Sequence, residues 1–412
     1  MKKAIALVLA LVMVFALCAC GQKTETEQGG DTTAQGVVID GDTIKIGVFE
    51  PATGENGAGG MQEVLGIRYA NTVAPTVTIG GKEYKVELVE VDNQSDKTQA
   101  VTAAQQLVSQ QVIAVLGSYG SGVSIAAGET FASSLIPAIG CSCTNPQVTV
   151  GNDYYFRVCF LDPFQGEVMA NFAYKTKACT TAAIITQNGD DYSTGLGGYF
   201  KAAFEKLGGQ VVNEATYNTN ETDFNALLTA AKAANPEVLF IPSSIVTAGL
   251  IIKQARDMGI TCPIMAGDTW QNATIVANAG AESCNDVFYS TFFSADDEAA
   301  ADFVSGFQAY LNGDPENLKL NSGSDVIASV SALGYDAYMA VIEALKTLDG
   351  EVTSVAVRDA LAKLEFTGVT GGIKFDENGD ADKDVAFIES FVDGKMTLVG
   401  FQGSDGKFTE AK

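Results

Sequence analysis

The residues of this chain best placed to do chemistry are hydroxyls, carboxylates and glycine-rich backbone. Gly117-Ser118-Tyr119-Gly120-Ser121-Gly122 follows a short apolar run, 113–116, and precedes a stretch of helical spacing. Backbone N–H groups at such a helix start, together with the Ser121 hydroxyl, suit a carboxylate. Ser142, Cys143 and Thr144 leave the next expected strand with hydroxyls and carbonyls available, and Asp268 follows a further strand as a fixed negative charge. Together these groups describe an anion cradle facing an acidic group, the complement of a zwitterion. Charge-assisted hydrogen bonds contribute about 1.5–3 kcal/mol each, so a handful of them would hold a small amino acid at micromolar levels after the costs of association. Each residue alone also has a structural reading. Ser121 can cap a helix, Thr144 can form a turn before Pro146, and Asp268 can cap the helix following Trp270.

Other chemistry is excluded by what is missing. The chain has no histidine, so no Ser-His-Asp or Cys-His nucleophile, no H-E-x-x-H zinc site and no imidazole proton shuttle can be built. Gly57-Ala58-Gly59-Gly60-Met61-Gln62 begins like a dinucleotide loop but carries Gln62 where Gly or Ala is needed. No G-x-x-x-x-G-K-[ST] occurs. Asp376-Glu377-Asn378-Gly379-Asp380-Ala381 has Ala381 where a calcium loop needs Gly, and Phe387 where it needs Glu, so it reads as a surface turn. No cofactor or metal is expected. With 25 Lys+Arg against 50 Asp+Glu, the net charge of −25 disfavours nucleic acid, whose phosphates are neutralised by Lys and Arg.

The elements that must position these residues alternate between strand and helix. Strands are expected at 44–49, 86–91, 113–116, 137–140, 155–160, 182–186, 210–217, 238–242, 263–266 and 287–291. Helices are expected at 61–74, 98–110, 124–134, 164–176, 195–207, 223–234 and 247–258. Short apolar strands separated by helices of about a dozen residues mean parallel sheets covered on both faces, here as two doubly wound α/β units. The end, 374–401, alternates like a hairpin around Asp376–Gly379. Ligands of such sheets sit at the carboxyl ends of strands, so the loops of interest are 50–60, 117–122, 141–146, 187–194, 243–247 and 267–272.

The N-terminus reads as an address. Lys2 and Lys3 precede an apolar run, 4–17, of signal-peptide length and shorter than the roughly 20 residues that span a bilayer. It ends in Leu17-Cys18-Ala19-Cys20-Gly21, which resembles a bacterial lipobox, with Cys20 as the thiol that takes the lipid. An ordinary secretory signal is the alternative. Loss of Lys2 and Lys3 takes the charge from −25 to −27. Residues 20–41 then form a polar, lipidated, flexible tether. Of the later cysteines, Cys262 and Cys284 could be oxidised to each other in an exported chain, or all could be small buried apolar residues.

Over most of its length the chain resembles the leucine/isoleucine/valine-binding protein family, the solute receptors of branched-chain amino acid ABC transporters. The markers are Ile44-Lys45-Ile46-Gly47-Val48 with Pro51-Ala52-Thr53-Gly54, Asp92-Asn93-Gln94-Ser95, Ser142-Cys143-Thr144-Asn145-Pro146, Asp191-Tyr192-Ser193-Thr194-Gly195, Asp223 to Leu228 and Ala234 to Val238. The resemblance implies the type I periplasmic-binding-protein fold, two lobes joined by three crossovers that close on ligand. Lobe 1 is then 42–162 plus 293–370, and lobe 2 is 163–292 plus 371–412, after a signal peptide at 1–19. It also implies that Ser121 and Thr144 hold the substrate carboxylate, that Asp268 holds the ammonium with help from a carbonyl near Ser142, and that Tyr192 closes from the second lobe. Gly59 and Ser244 stand where relatives carry aromatic walls, with Tyr119 and Trp270 as substitutes.

The expectation is an extracytoplasmic, lipid-anchored, monomeric solute-binding protein that is not an enzyme. It captures an amino acid, branched-chain or similarly apolar, and delivers it to an ABC permease and its ATPases. Alternatives are a receptor for another small solute, such as an amide or aromatic acid, a sensory binding protein, or a surface hydrolase.

Overall fold

The computed structural model describes residues 36–296 and 298–411. Signal peptide, lipobox and Cys20 lie outside them.

The first lobe is built on β1 (Thr43–Glu50), β2 (Thr76–Ile79), β3 (Lys82–Asp92), β4 (Ala114–Leu116), β5 (Ala138–Gly140) and β6 (Tyr155–Arg157), in the order β2-β3-β1-β4-β5-β6. Helices α1 (Gly57–Val73), α2 (Lys97–Ser109) and α3 (Ser121–Ser133) cover it. The central strands β4 and β5 are apolar throughout and buried, as crossover helices on two sides require. The second lobe begins with α4 (Asp162–Asn171), which carries Pro163 in its first turn, where no N–H is needed. It continues through β7 (Thr181–Gln187), α5 (Asp191–Lys206), β8 (Gln210–Tyr217), α6 (Asn225–Ala233), β9 (Val238–Phe240), α7 (Ile245–Asp257), β10 (Ile264–Ala266), α8 (Ala273–Ala279) and β11 (Val287–Thr291).

After Thr291 the chain returns to the first lobe with α9 (Ala301–Gly313), α10 (Pro315–Leu320), α11 (Ser329–Lys346), α12 (Ser354–Leu361) and the ribbon β12 (Glu365–Gly368) and β13 (Gly371–Lys374). It then crosses back to add β14 (Val385–Val392), β15 (Lys395–Gly403) and β16 (Phe408–Glu410) antiparallel at one edge of the second sheet, whose order is β16-β15-β14-β11-β10-β9-β7-β8. Helices α1 and α11 cross with their backbones almost touching. A Cβ at Gly66 would fall 1.9 Å from the Ser331 carbonyl oxygen, and one at Gly334 would fall 2.5 Å from that of Glu63. Only glycine permits this approach.

The two doubly wound sheets and the spans of β8 and β11 agree with the sequence reading. Several details differ. β2 was not expected; it pairs antiparallel with β3 across Gly80-Gly81. The C-terminal hairpin turns at Asp393-Gly394, both at positive φ, rather than at Asp376–Gly379. That turn matches the right-handed twist of paired strands. The ribbon β12–β13 pairs Glu365–Gly368 with Gly371–Lys374 across the expected boundary at 370. The expected tether ends before residue 41: Val38 bridges Thr353, and Val37 and Ile39 pack on the core because they are apolar. All six cysteines in the described part are free, and five are buried.

One buried cation holds the crossovers. Arg157, at the end of β6, is fully buried and ion-pairs through Nε with Asp380 on the third crossing. Its remaining N–H groups donate to the carbonyls of Cys143 (2.8 Å) and Asn145 (2.6 Å) and to Thr149 Oγ1 (2.9 Å). Removing one partner of such a pair leaves an uncompensated charge at a cost of about 3–5 kcal/mol. Asp380→Ala is therefore expected to lower the stability of the unliganded protein by about that amount in urea unfolding, whereas Asp376→Ala, on the same turn, should cost under about 1 kcal/mol.

Candidate functional site

The two sheets present their carboxyl ends to a shared cleft. From the first lobe it is lined by Asn56, Tyr119, Gly120, Ser121 and Ser142. From the second it is lined by Gln187, Asp190, Tyr192, Ser244, Asp268 and Thr269. Every one of these lies in a loop singled out by the strand-end rule. The cleft is nearly shut, with a residual cavity of ≈ 20 Å³. Direct contacts between the lobes close it. Lys97 Nζ pairs with Asp191 at 2.7 Å and donates to the Gly189 carbonyl at 2.9 Å. Asn145 Nδ2 donates to the Asp191 carbonyl at 2.7 Å, and Gln187 Nε2 to Glu55 Oε2 at 3.0 Å.

On the first-lobe side, α3 begins at Ser121 with no side-chain cap, because Gly120, at φ 102°, precedes it. Its first-turn N–H groups have no partner within the helix and carry the positive end of its dipole. Ser121 Oγ accepts from the Asn145 N–H at 3.1 Å, which leaves its own proton to donate. Ser142 Oγ donates to Glu63.

Facing it, Asp268 opens a single 3₁₀ turn after β10 and is 3 % exposed. Its Oδ1 accepts from Gln165 Nε2 (2.7 Å) and Tyr192 Oη (3.1 Å). Burial pushes its pKa up to about 6, and these donors limit the rise. Tyr192 is held by α5, whose N-cap is Asp190; that carboxylate accepts from the Ser193 N–H at 2.7 Å. The cap explains why α5 starts four residues before the expected 195.

Four predicted residues therefore meet at the cleft: Ser121, Ser142, Tyr192 and Asp268. Thr144 lies just behind it, fully buried, with a hydroxyl that no protein group satisfies. Cys143 does not belong. Its side chain packs in the core beside α3, and its carbonyl is taken by Arg157. Trp270 is no wall either, since it is fully buried with Nε1 donating to Ser243 Oγ at 3.1 Å. Tyr119 does form a wall. Its ring lies over Gly59, where a Cβ would be 2.5 Å from the ring, and its hydroxyl reaches the Thr269 carbonyl at 3.4 Å. Ser244 lines the cleft but caps α7 through the Thr247 N–H. Asn56, Gln187, Asp190, Thr269 and the supporting Gln165 were not named from sequence. Only their loops, and the i, i+3 spacing of Asp162 and Gln165 at a helix start, hinted at them.

Beneath the first-lobe wall, donor atoms of Glu50, Glu63 and Cys141 lie within 4.8 Å of one another. Burial raises all three acids, Glu63 to about 7. Glu50 accepts from the Tyr119 N–H at 2.7 Å and Glu63 from the Ser142 hydroxyl, and each keeps one oxygen without a partner among the described residues. Metal binding would require losing these protons, which burial disfavours. A larger cavity, ≈ 570 Å³, lies at the hinge among Phe160, Phe292, Phe387 and Lys383. Its wall is largely apolar, with Asp382, Lys383 and Asp384 adjacent along one stretch of chain.

The sequence profile of the family described as periplasmic binding protein matches residues 43–395, and the chain belongs to that family. It is 28 % identical to Leu/Ile/Val-binding protein homolog 3 of Brucella melitensis over 361 residues, 86 % of this chain and 92 % of that protein. The leucine-binding protein LivK of Thermotoga maritima superposes with a TM-score of 0.80 at 32 % identity, covering 88 % of this chain and 99 % of that one. LivJ of Streptococcus pneumoniae, a branched-chain amino acid transporter substrate-binding protein solved with isoleucine, superposes with a TM-score of 0.77 at 29 % identity, covering 90 % and 100 %. Both support the type I periplasmic-binding-protein fold.

The geometry makes one prediction about electrostatics. Gln165→Leu removes the strongest donor to Asp268, so the carboxyl pKa should rise above about 6 in the unliganded protein. A carboxyl-carbon NMR titration that shows no rise would contradict the role given to Gln165.

Proposed function

We propose that this chain is the extracytoplasmic receptor of an ABC importer, and that it captures an α-amino acid between its lobes. The observation that carries the proposal is the opposition of an uncapped helix start at Ser121 and a buried carboxylate at Asp268 across one small cleft. The substrate carboxylate lies on the α3 N–H groups and the hydroxyls of Ser121 and Thr144. Its ammonium lies between Asp268 and the Ser142 carbonyl, and Tyr192 orients Asp268 while closing the second lobe over the ligand. A ligand without an ammonium would leave Asp268 buried and unpaired, which is costly. Relatives named for leucine, isoleucine and valine support an apolar, branched side chain, which in this chain would rest against Tyr119.

Binding couples to motion because the two halves of the site belong to different lobes. Ligand that touches both stabilises the closed state over the open one. The closed form is what a permease with its two ATPases would read, and the protein performs no chemistry on its cargo. It acts as a monomer tethered to the membrane through lipidated Cys20.

A thermal-shift screen of the amino acids, followed by calorimetry on any hit, tests the assignment. Leucine, isoleucine or valine should raise the melting temperature. Asp268→Asn should weaken binding by about 2–5 kcal/mol, roughly thirty-fold to several-thousand-fold, while leaving the unliganded melting temperature nearly unchanged. Undiminished affinity in this variant would refute the role of Asp268. The anchor has its own test: Cys20→Ser should move the protein from the detergent phase to the aqueous phase.

A further inference from the structure

Asp162 is the first residue of α4, where the first crossing enters the second lobe. It is fully buried, and neither carboxyl oxygen has a hydrogen-bond partner. One turn on, Gln165 Oε1 is also unpartnered, as is Thr144 Oγ1 on the first-lobe side. The Thr144 hydroxyl lies near enough to temper the acidity of Asp162 without completing a hydrogen bond. No cation serves this carboxyl. Arg157 is the one whose charge reaches it, but that guanidinium is spent on Asp380, Thr149 and the carbonyls of Cys143 and Asn145. The charged groups that act on it from the second lobe, Asp190 and Asp268, are both acidic. Its place in the first turn of α4 favours a negative charge by only about 0.3–1 kcal/mol. Desolvating an unpaired carboxylate costs several kcal/mol, so the neutral form wins.

The walls of this site come from both lobes. A Cβ at Gly195 on α5 would lie 3.6 Å from Asp162 Oδ2 and 2.6 Å from Asn145 Nδ2. Asn145 itself spans the gap by donating to the Asp191 carbonyl. Parting the lobes, as the proposed receptor function requires, breaks that contact and lets water reach Asp162.

We infer that Asp162 is a proton site tied to lobe closure: it takes up one proton as the lobes shut on ligand and releases it as they open. Burial holds the carboxyl of the closed state up at about 8. Asp268 adds to this only while the cleft is empty, and burial remains the cause that carries the shift once the ammonium is paired. In the open state it returns to the ordinary range near about 4. The closed-state value is the higher, so closure is favoured fully below the open-state value and loses that advantage as pH rises to about 8. Ligand affinity should therefore fall by up to about tenfold per pH unit across that window. Above about 6 Asp268 is ionised before and after binding and adds nothing. Below about 6 it gives up a proton to meet the ammonium and offsets the uptake, so the decline of affinity is read between about 6 and 8.

The experiment is calorimetric titration with the amino acid identified in the screen, at about pH 6.5, in buffers of different ionisation heat, on the wild type and Asp162→Asn. The wild type should take up about one proton more per ligand than the variant, and the variant should lack the decline of affinity with pH. Should the variant fail to fold, an infrared difference spectrum of the wild type serves instead, with a protonated-carboxyl carbonyl band appearing on ligand addition. Binding without proton uptake, equal uptake in the variant, or no new band would overturn the inference. No heat with any amino acid would overturn the receptor function on which it rests, and the switch with it.

Discussion

A single buried guanidinium sets the geometry on which the rest depends. Arg157 has no exposed surface, and a lone cation there would be untenable. Its partners are therefore obligatory, and they are the parts that must hold still: Asp380 on the third crossing, Thr149, and the carbonyls of Cys143 and Asn145. With alternate carbonyls of the 141–146 loop turned toward Arg157, the intervening residues are left for other work. Ser142 faces the cleft, and Thr144 stands behind it with a free hydroxyl. The same cation thus fixes both the crossovers and a loop that lines the cleft.

Around that cation the interior is unusually acidic, and each buried acid meets the cost differently. Glu50 accepts from the Tyr119 N–H and Glu63 from the Ser142 hydroxyl. Asp336 is surrounded by donors, taking the N–H groups of Val369 and Thr370 and the Thr370 hydroxyl. Asp162 completes no hydrogen bond through its carboxyl, and burial pushes it up to about 8. Asp268 is intermediate, with two side-chain donors but no cation. In a chain without histidine and with twice as many acids as bases, the ammonium of the proposed ligand would supply the counter-charge that Asp268 lacks.

Much of this was legible in the chain itself. The start of β11 was placed correctly because Asn285-Asp286 precedes a continuous buried run, whereas β8 is a partly exposed edge strand carrying Asn213 and Glu214, set off by Gly208-Gly209 and Asn218. β2 was missed because TVTI, with alternating exposure, is too short to stand out from the loop before β3. The Asp393-Gly394 turn was legible but was passed over for the richer Asp-Glu-Asn-Gly sequence at 376–379. That segment proved to be a self-contained turn, closed by Asp376 accepting from the Asn378 and Asp380 N–H groups. Helix starts at Gly57 and Asp191 came earlier than expected because glycines and capped polar turns carry no apolar period.

By itself, then, the sequence determined two doubly wound lobes, the six loops at their strand ends, and the residue types available there, because hydrophobic period and turn chemistry are local properties. Only the tertiary structure decided which loop residues face the cleft. Cys143 and Trp270 turn into the core, Tyr119 takes the space that Gly59 vacates, and Gln165 comes to support Asp268 from more than a hundred positions away. It also decided the protonation of Asp162, since a carboxyl's charge depends on the solvent and donors that distant segments grant or deny it. No spacing along the chain encodes that environment.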